Sequence, residues 1–192
     1  MKKSILLYSL LSVILISCFG HVPKGKEKKD LFGKWEGKTF VNPYFDLNIT
    51  LDDNWQKNDK NFKTIFGATY IHADYYSPED TSVVLATLNL ESKKINPFDK
   101  GATVQKELQE GIDALKVLYN ENEMLTEDFQ TIQMGKRKYI FSRVILLEGE
   151  GDSTYVDEYM SAEKDYFLSL SLSYNSAKNR PICDEVLKQF KK

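Results

Sequence analysis

Among the residues that could do chemistry, acids are numerous, with 28 Asp and Glu against 26 Lys and Arg. Their most suggestive cluster is Glu148-Gly149-Glu150-Gly151-Asp152. Alternating carboxylates on a glycine-rich loop supply the oxygen ligands that calcium takes. An EF-hand loop also wants a glutamate at its twelfth position, and counted from Glu148 that position is Tyr159. The segment therefore reads as a charged hairpin loop whose glycines permit the turn. Glu148, Glu150 and Asp152 stay as a candidate cation loop, with no metal assigned. The two histidines are His21, near the amino end, and His72, in a strand-like run beside Ala73 and Asp74. A hydrolytic triad needs a nucleophile, a base and an orienter. A single strand histidine reads as a structural residue rather than a base. There is no Gly-x-Ser-x-Gly, no phosphate loop and no zinc spacing. No catalytic residue and no cofactor follow. Two carboxyl groups facing each other at roughly 5 to 10 Å could run glycosidase chemistry, but the spacing singles out no such pair.

The remaining reactive groups are two thiols, Cys18 and Cys183. Cys18 ends a distinctive leader. Lys2 and Lys3 precede an apolar run from Ile5 to Ile16, which stops at Ser17. A basic start, an apolar core and a small residue before the cut is the layout of a secretory signal peptide. The run is too short for a mature membrane span, which needs roughly 20 apolar residues. Leu15-Ile16-Ser17-Cys18 resembles the lipobox of bacterial lipoproteins. That resemblance implies cleavage before Cys18, a diacylglyceryl group on its sulfur and acylation of the new amine. Two or more chains hold stably where one holds only marginally, at about 0.8 kcal/mol per buried methylene. The expectation is a signal peptide over 1–17 and a lipidated tether over 18–30. The chain then sits on the outer side of a bacterial cell membrane or outer membrane. With Cys18 used by lipid, Cys183 has no partner for an intrachain disulfide. Its neighbours Ile182, Val186 and Leu187 make it a buried structural thiol.

Charge supports the same organisation. Lys24, Lys26, Lys28 and Lys29 crowd the segment before Leu31, beside Glu27 and Asp30. With Pro23 and Gly25 they read as a solvated spacer. Removing leader and spacer leaves a part more acidic than the whole chain, which argues against nucleic acid as a partner.

Residues 31–192 have the length of one globular domain. Lys38–Val41 and Asp46–Leu51 read as strands, the second alternating Leu47, Ile49 and Leu51 against Asn48 and Thr50. Asn54 tolerates positive φ, so a tight turn there would deliver Trp55 to the core. Ile65–Ala73 and Ser82–Leu90 are strands, and Tyr75 and Tyr76 fall in the loop between them. That loop is either a contact surface, since exposed tyrosines favour interfaces, or a cover over the core edge. From Thr103 to Asn120 the period turns helical through Val104, Leu108, Ile112 and Leu115. Gly111 either weakens this helix or permits close packing. Phe129–Met134 leads through Gly135-Lys136 into a strand ending near Leu147. Ser153–Ser161 and Tyr166–Tyr174 form a second hairpin. Leu168, Leu170, Leu172 and Tyr174 alternate with Phe167, Ser169, Ser171 and Ser173, as a sheet with one buried face requires. Asn179 would cap a terminal helix with Pro181 in its first turn.

Asn42, Tyr44, Phe45, Leu47, Ile49, Leu51 and Trp55, the hairpins that follow and the closing Val186-Leu187-x-x-Phe190 resemble PsbP-like domains, including the DcrB-like lipoproteins. The family turn Leu-Pro-x-Gly-Trp is met at Leu51 and Trp55, with Asp52 and Asn54 replacing the proline and glycine. The resemblance implies an α+β fold, an antiparallel β-sheet flanked by helices in a PsbP-like α/β/α sandwich. It also implies a non-enzymatic binding or assembly role, with an envelope protein as a possible partner. Alternatives are a carrier of a small lipophilic ligand between helix and sheet, or a carboxylate-based hydrolase.

Overall fold

The computed structural model describes residues 31–58, 63–64, 66–119, 123–148 and 152–190. The leader, Cys18 and the spacer lie outside the described residues.

The protein is α+β, built on an antiparallel sheet flanked by helices. Its central strand is the cleanest alternation in the sequence, β12 (Tyr166–Tyr174). β12 pairs with β11 (Asp152–Glu163) on one side and β7 (Val84–Lys94) on the other. β10 (Arg137–Glu148) lies beyond β11 and carries β8 (Met124–Thr126) and β9 (Gln130–Met134). β6 (Gly67–Tyr76) lies beyond β7 and carries β4 (Trp55–Lys57) and β5 (Lys63–Thr64). A separate small meander joins β1 (Lys34–Glu36), β2 (Thr39–Asn42) and β3 (Leu47–Thr50). Hairpin register is set by short turns, including Gly135 at φ 57° between β9 and β10.

The two faces of the large sheet are covered differently. One face packs under the meander and α2 (Arg180–Phe190), which brings Cys183, Val186, Leu187 and Phe190. Leu88, Leu90, Leu170 and Leu172 are wholly buried there, among Phe40, Phe45, Ile49 and Trp55. Cys183 is buried in the same core, and burial pushes its thiol up to about 12. The other face is roofed by α1 (Val104–Leu118), whose Thr103 accepts from the Lys106 amide at 3.1 Å as N-cap. Under α1 the apolar contacts form two separate clusters. One holds Ile112, Leu115, Met124, Val144, Leu146 and Val156; the other holds Leu108, Met160 and Phe167.

Four local expectations change. Tyr75 and Tyr76 end strand β6 rather than forming a loop, because pairing with β7 continues through Ala86 and Val84. The turn before Trp55 is held by Asp52, not by positive φ at Asn54: the Asp52 carboxylate accepts from the Asn54 amide at 2.9 Å, and among the described non-glycine residues positive φ occurs at Asp46 and Lys164. Asn179 lies in a 3₁₀ turn, Ala177–Asn179, running straight into α2, and its side-chain amide donates to Asn175 at 2.6 Å. The serine face of β12 is not left to solvent, because α1 covers it. Alternation marks which residues share a face but not what lies above them.

Candidate functional site

The site is a pocket between α1 and the covered serine face, at the gap between the two apolar clusters under the helix. Its cause is missing volume. Above stands Gly111, where an added Cβ would meet nothing within 4 Å. Gly111 therefore does not serve close packing; it leaves the roof open. Below stand the short side chains Ser142, Ser169 and Ser171. The space amounts to about 130 Å³. Its walls are Leu108, Ile112, Leu115, Val144, Val156 and Met160.

Strand periodicity places two carboxyl groups in this pocket. Glu91 on β7 is opposite Ser169 of β12, and Glu158 on β11 is opposite Ser171 of β12. The two acids thus flank the central strand, one from each side, two residues out of step. One row of the sheet reads His72, Asn89, Ser171, Glu158, Ser142 across five strands. Glu158 accepts from the Ser169 hydroxyl at 3.4 Å and from Ser171. Glu91 accepts from Thr69 Oγ1 at 3.2 Å. Both acids keep some accessible surface, reached through the pocket, while protein packs round the rest. No Lys, Arg or His lines the pocket among the described residues. A third acid on the wall, Glu107 of α1, is already paired with Lys93.

The electrostatics follow. Withdrawal from water pushes Glu158 from 4.5 up to about 7; the Ser171 hydrogen bond opposes this, and the nearby Glu91 charge adds to it. Withdrawal likewise pushes Glu91 up to about 7, against the hydrogen bond from Thr69. Ser142 is 1% exposed, lines the pocket beside Glu158, and its hydroxyl has no hydrogen-bond partner among the described residues. A buried hydroxyl left unpaired costs about 1–3 kcal/mol. Such a site can do two things: hold a group that supplies the missing hydrogen bonds and positive charge, or pass a proton near neutral pH.

The residues singled out from sequence lie elsewhere. Glu148 ends β10 opposite Asp152, and its carboxylate accepts from Thr154 at 2.8 Å. Glu150 and both loop glycines lie outside the described residues, as does the side chain of Asp152. Tyr75 is half-buried and stands edge-on to Trp55, ring centroids 5.3 Å apart, its hydroxyl accepting from Asn54 at 3.1 Å. Tyr76 is half-buried at the strand end. His72 pairs with the Asn89 side chain on the pocket's face of the sheet. Sequence reasoning missed the pair Glu91 and Glu158. A signal existed for Glu158, an acid on the strand face it shares with apolar Val156 and Met160. Glu91 sits between Asn89 and Lys93 on its face and offered none.

No protein-family model matches this chain. No curated protein matches it in sequence. Solved structures resemble it in backbone shape. A Bacteroides thetaiotaomicron protein aligns over 81% of this chain at 15% identity and TM-score 0.44, and the chain spans about half of that protein, 48%. LpqN of Mycobacterium tuberculosis, described as involved in cell envelope biogenesis, aligns over 74% of this chain and 78% of its own at 13% identity and TM-score 0.45. Cyanobacterial PsbP of Synechocystis aligns over 74% of this chain and 82% of its own at 7% identity and TM-score 0.49.

Proposed function

We propose that this chain is a small-ligand-binding module, held by lipid on Cys18 at the outer face of a bacterial membrane, with its site between α1 and the sheet. One observation carries the binding reading: a pocket of about 130 Å³ whose apolar walls flank two carboxyl groups with no cation, and a hydroxyl with no hydrogen-bond partner, among the described residues. Groups left in this state are destabilising unless something else satisfies them. Ligand sites have this composition, apolar walls with a few convergent polar groups. The tether rests on Leu15-Ile16-Ser17-Cys18. Among the described residues, no helix is long and apolar enough to cross a membrane.

The test uses native mass spectrometry on the full chain released gently from its membrane. The wild type should carry a small molecule, and Gly111→Leu, which fills the open roof, should carry none. An equal ligand load on both proteins, or none on either, would contradict the reading. Cys18→Ser should move the protein from the membrane fraction to the soluble one; unchanged fractionation would remove the lipid tether.

A second reading, a carboxylate hydrolase, is favoured by the same pair, since carboxyls near 7 suit general acid–base work. Size weighs against it. A cavity of roughly 150 Å³ holds about one benzene, so 130 Å³ takes one small ring beneath α1, and a second sugar would have to lie outside the open roof. Turnover of nitrophenyl glycosides by wild type, lost in Glu158→Gln, would reinstate it.

A further inference from the structure

We infer that the ligand of this pocket is a small organic cation, a primary amine whose ammonium faces Glu91 and Glu158 and whose hydrocarbon body lies along α1. The inference rests on the binding reading above and adds the chemistry of the occupant.

Four observations carry it. The pocket's charged lining is Glu91, Glu107 and Glu158, and among the described residues only Glu107 has a cation, Lys93. The remaining two acids flank β12 from opposite sides, so a charge above Ser169 or Ser171 lies within reach of both. An ammonium has three donors and no acceptor, which suits a site whose unpaired charged atoms are carboxylate oxygens. A ligand carboxylate or phosphate would meet like charge, and among the described lining residues its donors would be only serine hydroxyls and the Asn89 amide, with no cation. Ser142, 1% exposed and unpartnered, gives a separate polar point for a hydroxyl or amide elsewhere on the ligand. The apolar walls meet the body, and 130 Å³ limits the enclosed part to about five or six heavy atoms by comparison with benzene in a cavity of roughly 150 Å³.

Binding should depend on pH. An alkylammonium stays charged from pH 5 to 8, as a lysine does. The groups facing the ammonium are Glu91 from β7, Glu158 from β11 and Glu107 with Lys93 at the α1 side; His72 and Asp74 stand on the same sheet face at β6. β12 presents only Phe167, Ser169, Ser171 and Ser173, and the adjoining part of β10 only Ile140, Ser142 and Val144. Protonating the two free acids below neutrality removes the attraction.

The experiment is calorimetric titration of the full chain with n-butylammonium, 1-butanol as its neutral match, and butyrate. At pH 8 the amine should bind saturably and at least tenfold tighter than the alcohol, with butyrate not binding. Affinity should fall at least tenfold at pH 5, and at least tenfold in Glu158→Gln and in Glu91→Gln. If one variant does not fold, the other and the wild-type pH series decide. Equal affinity for amine and alcohol would overturn the cation while leaving a binding pocket. So would no amine binding together with a neutral ligand found by native mass spectrometry. No binding of any probe and no co-purified ligand would overturn both.

Discussion

Asp157 and Glu158 are neighbours in the chain and opposites in their surroundings. Asp157 points to the α2 side of the sheet and is 0% exposed. Two guanidinium groups close on it, Arg143 at 2.6 Å and Arg180 at 2.7 Å. Those arginines are held in turn by Glu127 and Asp184. Glu158 points to the α1 side and has serine hydroxyls, a second acid and, among the described residues, no cation. The first arrangement pairs its charge within the protein; the second leaves its charge without a counter-ion among the described residues. A one-residue step along a strand thus separates a structural carboxylate from a candidate functional one.

Several substitutions would break or sharpen this contrast. The largest effect is expected at Asp157→Asn, which leaves two arginines without their shared counter-ion. It should cost about 3–5 kcal/mol in urea unfolding, as breaking a buried pair does. Glu158→Gln should cost far less, and above neutral pH should stabilise by relieving an uncompensated charge. Similar losses for the two variants would erase the distinction. One strand over, Leu170→Ala removes a 0% exposed side chain and should cost about 2–5 kcal/mol. Its neighbour Ser171→Ala faces the pocket and should cost about 1 kcal/mol, one hydrogen bond.

The contrast also has a pH signature. Glu91 and Glu158 titrate at about 7 in the folded protein, above the ordinary 4.5. The folded state therefore binds more protons than the unfolded one between those values, and stability falls as pH rises from 4.5 to 7. The double variant Glu91→Gln, Glu158→Gln should flatten that slope in pH-dependent unfolding; an unchanged slope would place its source elsewhere. The smallest effect belongs to Gly111→Ala. With open space at the added Cβ, helix propensity alone should stabilise by about 0.5–1 kcal/mol, while ligand capture declines.

Much of the fold is legible in the sequence because periodicity is a local property. The run Leu168 to Tyr174, the α1 stripe and the Val186, Leu187, Phe190 stripe each declare a buried side. The pairing of β7 with β12 is not declared, since it joins strands separated by a helix and four other strands. The pocket depends on that pairing, because only the register brings Glu91 and Glu158 to either side of β12. It depends also on Gly111 standing over serines, where the sequence shows only a glycine in a helix and a polar strand face. The place of Tyr75 escapes the sequence for a similar reason: its edge-on contact with Trp55 depends on where the pairing with β7 stops.

The most direct measurement is the titration of the Glu91 and Glu158 side-chain carboxyl carbons by NMR, in the full chain, with and without n-butylammonium. A cation site predicts midpoints near 7 in the free protein, moving toward the ordinary carboxylate range when the amine is bound. Midpoints near 4.5 that the amine leaves unchanged would show two solvated acids, and would contradict the claim that this pocket awaits a positively charged guest.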